Sequence, residues 1–433
     1  MKVDTKFCTI PAPHTVIHLK LDSGERLPCL VDSETWIPAR VATRWAVRYR
    51  RYRVQSSTLA NNLRALRQVY NWAKTVGNFN LDDFLTTGGI LDARQIESLA
   101  FYLRTGGEAI VAGIILPTGS SQQPERFPSP STFDHQLAVA EDFLIWALDS
   151  ANRGGTSSLT LEQLYAHRIR LSEIFRSLRV GAAQSRRKEP LTDEAVKRIR
   201  EVIAPETDQQ GRLLTNDKGS LLFASSRFSK GTELRNWLMF ETALELGLRR
   251  GELLKLRLDS LPRGNNDGVR ILRLPDDKAD SRLNEPSVKT AERVIPASRR
   301  LLMAFRAYLT APQPQGRVSG KSPYVFVTNG GEPISLDAAN DIIQSISRLS
   351  GVSLSWHSLR HTWAERMGDL LADKPNGPDQ LKYLGGWTNS QSPNRYIQNA
   401  IAKQAAATLR KHQEEIYNLG ERQDESTDAA ILV

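Results

Sequence analysis

The chain has 433 residues, with 58 Lys and Arg against 48 Asp and Glu, for a formal charge of +10. Hydrophobic residues make up 40 % and charged residues 24 %, which excludes a wholly disordered chain, and the length suggests two or three domains. The longest apolar run, Ala109 to Leu116, falls well short of the ~20 residues of a membrane helix, and Met1-Lys2-Val3-Asp4-Thr5-Lys6 leads into no apolar signal core, so no membrane association is expected and the location expected is cytoplasmic, on nucleoid or chromosomal DNA.

In chain order, residues 1–35 read as a β-rich N-terminal extension. Ile17, Leu19 and Leu21 alternate with polar residues as in a half-buried strand, Asp22-Ser23-Gly24-Glu25 is a turn, and Arg26 to Val31 returns as a second strand. The two cysteines, Cys8 and Cys29, make no disulfide framework, and no Cys/His cluster has metal-ligand spacing, so neither metal nor cofactor is expected.

Residues 36–180 read as a helical, basic domain. From Thr35 to Leu81 there is no Asp or Glu, while Arg40, Arg44, Arg48 and Arg51 recur at helical spacing as one cationic stripe. Like charge at this spacing destabilises a helix unless an anion neutralises it. In the next helix Leu59, Leu63, Leu66, Tyr70 and Ala73 form the apolar face, and Arg64 and Arg67 lie off it. A solvated face is the ordinary outcome of a charge run, but the absence of acids favours a surface for the phosphate backbone of DNA. Helices are expected at 92–103, 131–150 and 161–180. Residues 181–190 read as a linker carrying Arg186, Arg187 and Lys188, three further DNA-binding candidates.

Residues 191–420 read as an α+β domain, mainly α with a small sheet. Thr192 caps a helix with Asp193 and Glu194 in its first turn. A helix at 233–246 ends at Gly247, strands follow at 269–274, 293–295 and 324–327, and helices at 335–350, 358–372, 377–385 and 397–418. Residues 421–433 read as an acidic, flexible tail.

Four segments carry chemistry-bearing residues. Arg249 sits at an elbow between two helices, with Glu252 three residues on. Lys289 lies at the tip of a hairpin, with Lys278 as its rival in the same loop. Trp356-His357-Ser358-Leu359-Arg360-His361 puts His357 and Arg360 at i and i+3 on one helical turn, with His361 on the same side. Leu384-Gly385-Gly386-Trp387-Thr388-Asn389 is followed nine residues after Trp387 by Tyr396. Taken singly, each has a plainer reading: a surface arginine, a solvated hairpin lysine, a capping or packing cluster, a core tyrosine.

In this order the segments resemble the tyrosine recombinases, also called the phage integrase family, over roughly residues 185–420. The family pattern is an Arg after Gly-Leu with an acid three residues on, a hairpin Lys, His-x-x-Arg-His, Leu-Gly followed by His or Trp, and a Tyr nine residues later. The Gly-Gly-Trp-Thr-Asn wording is closest to Cre-type members, and the catalytic domain is Cre/Xer-like. The basic helical domain ahead of it is similar in order and charge to the family's core-binding domain. Trp387 stands where most members have His. The gap from Arg360 to Trp387 is long, with Lys374 to Pro378 as the inserted loop, and the hairpin before Lys289 is also long.

The resemblance implies a site-specific DNA recombinase acting on double-stranded DNA as a homo-oligomer, a dimer on one site and a tetramer in synapsis. Tyr396 would attack the scissile phosphate and form a 3′-phosphotyrosine. Arg249 and Arg360 would clamp the phosphate oxygens, His357 would handle a proton, Lys289 would protonate the departing 5′-oxygen, and Trp387 would donate a hydrogen bond. Glu252 and His361 would orient these groups. Two other readings stay open: a type IB-like topoisomerase or hairpin resolvase using the same residues, and a catalytically silent recombinase fold that only binds DNA.

Overall fold

The computed structural model describes residues 12–106, 127–156, 159–181, 189–208, 214–217, 220–223, 231–264, 266–320 and 322–429, with 417–429 as backbone only. Cys8 and the linker residues Arg186, Arg187 and Lys188 lie outside these. The chain divides into two compact units, Met1–Arg187 and Lys188–Val433. Both are mainly helical with one two-stranded sheet each, the mainly-α architecture expected. Among the described residues no helix is long and apolar enough to cross a membrane.

In the first unit, β1 (His14–Lys20) and β2 (Arg26–Asp32) pair antiparallel with Ile17 opposite Cys29. The hairpin shares a core with the helices that follow: Leu30 lies in one cluster with Trp45, Leu63, Leu66, Trp72, Phe143 and Phe175. Helices α1 (Arg40–Trp45), α2 (Ser56–Thr75), α3 (Leu81–Thr86), α4 (Ala93–Arg104), α5 (Pro130–Arg153) and α6 (Leu161–Leu178) complete it. The apolar face expected on α2 is buried throughout. Asp82 caps α1 from a distance: its carboxylate accepts the backbone N–H groups of Arg40 and Val41 at 2.5 and 3.0 Å and the Tyr70 hydroxyl at 2.7 Å.

The second unit begins with α7 (Asp193–Ile203), capped by Thr192 as expected, and α8 (Glu233–Glu245), buried along almost its whole length. A short α9 (Arg250–Leu254) leads to the hairpin β3 (Gly268–Ile271) and β4 (Arg293–Pro296), paired antiparallel with Val269 opposite Ile295. Helix α10 (Arg299–Thr310) has no counterpart among the elements expected from sequence. The third strand, expected at 324–327, is instead a buried extended segment with single bridges from Tyr324 to Arg257 and from Val327 to Pro333, because its two ends meet different neighbours. Helices α11 (Leu336–Ser350), α12 (Trp356–Leu371), α13 (Gly377–Gly385) and α14 (Gln391–Ala429) follow.

Two boundaries in this last group matter for the site. Ser355 and Ser358 form a reciprocal capping pair that starts α12 at Trp356, which puts His357 in its first turn and Arg360 one turn deeper. Helix α14 begins six residues earlier than expected. Pro393 falls in its first turn, where a backbone N–H has no intrahelical acceptor to lose, so proline does not stop the helix. Tyr396 therefore lies inside α14 instead of just before it. The helix also runs on to Ala429, past the point where the tail was expected to begin.

Candidate active site

A small second core joins α12, α13 and α14: Trp363, Ala364, Leu371, Leu381 and Ile397, with Trp387 and Tyr396 packed against it. The candidate residues gather where this cluster meets the turn between α8 and α9.

That turn is built by Gly247. Its φ of +62° suits glycine, and a Cβ there would overlap the ring of Trp363. Its carbonyl accepts Arg360 Nη1 at 2.7 Å, and the carbonyl of Gly385 accepts Arg360 Nη2 at 2.6 Å. Arg360, only 4 % exposed, is thus held at both ends of its fork by backbone from two different elements. Its guanidinium also lies 4.6 Å from the Trp387 ring centre. Burial, with the charge of Arg249 beside it, pushes its pKa down to about 9.

Arg249 is the extended residue that caps α9. Its backbone N–H donates to Glu252 Oε2 at 2.6 Å, so the acid three residues on fixes the elbow. Its side chain is held otherwise: among the described residues Nη1 is buried with no hydrogen-bond partner. Burial lowers its proton affinity, and the nearby Arg293 lowers it further.

Glu252, 2 % exposed, is the hub. It accepts Arg293 Nη1 at 2.6 Å and the Thr290 hydroxyl, and Arg360 Nη1 lies 3.6 Å away. Burial alone would raise its pKa, but Arg293, Arg360 and Thr290 outweigh burial and hold the carboxyl below its usual range. One carboxylate therefore faces two guanidinium groups, with the Arg249 charge also in electrostatic range, a surplus of positive charge in a dry place. Such a site favours an incoming anion.

Tyr396 completes the cluster. Its ring lies 5.5 Å from His361, edge-on, and 5.8 Å from Trp387. It raises the proton affinity of both Arg249 and Arg360, which places the phenol within electrostatic range of the two arginines. Gly368 of α12 packs directly on the Tyr396 backbone.

Of the other expected residues, His357 is exposed in the first turn of α12. Lys289 is exposed in the β3–β4 connection, one residue before Thr290, whose hydroxyl reaches Glu252. Lys278 is exposed farther back in that connection, between Asp277 and Asp280. Buried pairs brace this stretch: Lys255 with Glu285 and Asp280, and Arg282 with Asp280 at 2.7 Å.

Arg293 escaped the sequence reading, although its strand was foreseen. The signal was present. Alternation along β4 puts Arg293 on the inward face with Ile295, and a charged residue on a buried face demands a partner. It donates Nε to the Leu384 carbonyl at 2.7 Å, and its guanidinium lies close to Gly386, whose φ of +63° suits glycine.

The arginine stripe of the first unit is partly relieved. α1 passes into a π turn at Ala46–Arg50, whose wider winding breaks the i, i+4 register. Arg51 turns to Glu25 at 2.7 Å, and Arg40 reaches Asp83 at 2.7 Å. These acids come from outside the stretch that has none. Arg67 is half-buried, whereas Arg44, Arg48 and Arg64 are exposed and, among the described residues, form no ion pair.

Residues 211–403 match the model of the phage integrase family. Over that span the chain is similar to the phage integrase family. The matched span contains Arg249, Glu252, Lys289, His357, Arg360, Trp387 and Tyr396. Solved structures similar to this chain include the XerH site-specific recombinase bound to a palindromic difH substrate in a post-cleavage complex, at 15 % identity and TM-score 0.47 over 81 % of this chain and 78 % of that one. Another is the Tn1549 transposon integrase in complex with transposon right end DNA, at 15 % identity and TM-score 0.46 over 86 % and 98 % of the two chains. A third is a lambda integrase dimer bound to a COC′ core site, at 13 % identity and TM-score 0.46 over 83 % and 93 %. No curated protein matches the chain significantly.

Proposed function

We propose that this protein is a site-specific tyrosine recombinase that cleaves and rejoins double-stranded DNA, integrating, excising or resolving it. The observation that carries this reading is that the Trp387 ring packs 5.8 Å from the Tyr396 ring and 4.6 Å from the Arg360 guanidinium, with Arg249 Nη1 lacking a partner among the described residues.

In this reading Tyr396 Oη attacks the scissile phosphorus as the bond to the 5′-oxygen breaks. The phenol proton passes to His357 or solvent, and the departing 5′-oxygen takes a proton from Lys289. Arg249 and Arg360 meet the non-bridging oxygens, where the transition state gathers negative charge. The phosphoester is exchanged, not hydrolysed, so attack by a new 5′-hydroxyl reverses the step and seals the strand. Arg44, Arg48 and Arg64 supply phosphate contacts, which give affinity and register but no sequence information. The active assembly is a dimer on each site and a tetramer in synapsis, working on chromosomal DNA.

A nicked duplex carrying a selected binding site tests the chemistry. Wild-type protein is expected to form a denaturant-resistant adduct, and Tyr396→Phe to form none while binding the duplex as before. An adduct in the Phe variant, or none in the wild type on a bound site, overturns the reading and leaves a DNA-binding recombinase fold.

A further inference from the structure

We propose that Glu365 is a positioning residue for Tyr396: its buried carboxylate latches the nucleophile's helix α14 in register against α12. The proposal rests on the reading of Tyr396 as nucleophile.

Glu365 is 6 % exposed and sits one turn after His361 on α12. Its two oxygens reach α14 separately. Oε1 accepts Asn399 Nδ2 at 3.0 Å, and Oε2 accepts Lys403 Nζ at 3.3 Å. Asn399 and Lys403 follow Tyr396 by about one and two helical turns, on the side of α14 that faces α12. Lys403 also reaches Asp369, one turn farther along α12, at 3.3 Å. Behind the latch, His361 Nδ1 lies 4.0 Å from Glu365 Oε1, and the His361 ring packs edge-on against Tyr396.

A buried carboxylate is costly unless paired, and apolar side chains would pack two helices without that cost. What a carboxylate adds is direction. The apolar contact between these helices, Trp363, Ala364 and Leu371 with Ile397 and Gly368 on the Tyr396 backbone, is non-directional and does not by itself single out one register. A slip of one residue turns a helix by roughly 100° and moves it about 1.5 Å, enough to carry the Tyr396 hydroxyl away from the arginines. Two hydrogen bonds from one carboxylate, one turn apart on α14, forbid that slip.

The test separates placement of the tyrosine from the rest of the site. DNA ending in a 3′-(p-nitrophenyl) phosphate can be joined to a 5′-hydroxyl strand without Tyr396. The 5′-oxygen attacks phosphorus, p-nitrophenolate leaves, and the hydroxyl proton goes to solvent. Glu365→Ala is expected to slow adduct formation on the nicked duplex by at least about tenfold, while DNA affinity and tyrosine-independent joining stay within about twofold of wild type. Glu365→Gln keeps an acceptor for Asn399 and should restore most of the loss. If Glu365→Ala does not fold, the pair Asn399→Ala and Lys403→Ala tests the same latch from α14. Wild-type adduct rates in Glu365→Ala or in the Asn399→Ala and Lys403→Ala pair, or a parallel fall in joining and adduct formation, overturn the proposal. Tyr396→Phe serves as control. It must lose the adduct and keep joining, and an adduct in that variant removes the nucleophile reading and the latch with it.

Discussion

At the scale of single residues, the site holds more positive charge than its own acid can balance. Arg249, Arg293 and Arg360 lie around Glu252, and Arg293 lowers the proton affinity of Arg249 and, with Arg249, that of Arg360. They do not share the cost equally. Arg360 is anchored by two backbone carbonyls and Arg293 by Glu252 and Leu384. Arg249 Nη1 has no partner among the described residues. Removing Arg249 therefore relieves repulsion and burial while breaking little. Arg249→Ala is expected to leave stability unchanged or slightly raised, within about 1 kcal/mol, as where activity requires a strained site. Its rate of adduct formation is expected to fall at least ~100-fold, the scale of losing one preorganised charge donor. Thermal unfolding and adduct kinetics on the same preparation check both halves. A large loss of stability would mean that Arg249 is a structural residue.

At the scale of elements, the site depends on how helices end. α8 must stop at Gly247 so that one carbonyl is available to Arg360 and the ring of Trp363 can lie close by. Gly247→Ala meets both obstacles, a left-handed backbone and an occupied space. The expected cost is about 2–4 kcal/mol, read as a lowered melting temperature, with slower adduct formation because the Arg360 anchor shifts. A melting temperature equal to wild type would show that the turn tolerates a side chain. Helix starts matter as much. The Ser355–Ser358 pair sets the phase of His357, Arg360 and His361, and Pro393 allows α14 to begin early enough to hold Tyr396 within it. The sequence reading began the first of these helices at 358, two residues late, although Ser355 and Ser358 carry the capping signal. The second start is masked, because a proline suggests a break unless its place in the first turn is known.

At the scale of the molecule, each unit has its own core, one around Trp45, Trp72 and Phe143, the other around Trp237, Phe240 and Phe326. Fragments 1–187 and 188–433, expressed alone, are each expected to unfold cooperatively. A fragment that stays unfolded would show that its core is incomplete alone. The expectation that residues 1–35 form a separate extension meets a hairpin whose Leu30 belongs to the same core as α2. The hairpin also supplies two of the carboxylates, Glu25 and Asp32, that pair with Arg51 and Lys74.

The order of the boxes, the residue types and the helical phases of α2, α5, α11 and α13 follow from sequence alone, because they are set by local periodicity, capping and spacing. Arg249, Glu252, Arg360, Trp387 and Tyr396 could be picked out from it as candidates, since they fall in three of the four segments that carry chemistry-bearing residues. The net charge of +10 could not say where its cations go. Only the tertiary structure distributes them: arginines buried around Glu252, others paired with acids from distant segments, and Arg44, Arg48 and Arg64 exposed without such a pair. Arg293 and Glu365 belong to that second kind of knowledge. A charged side chain on an inward face announces that it needs a partner, but the partner stands on another element, and spacing along the chain carries no record of it.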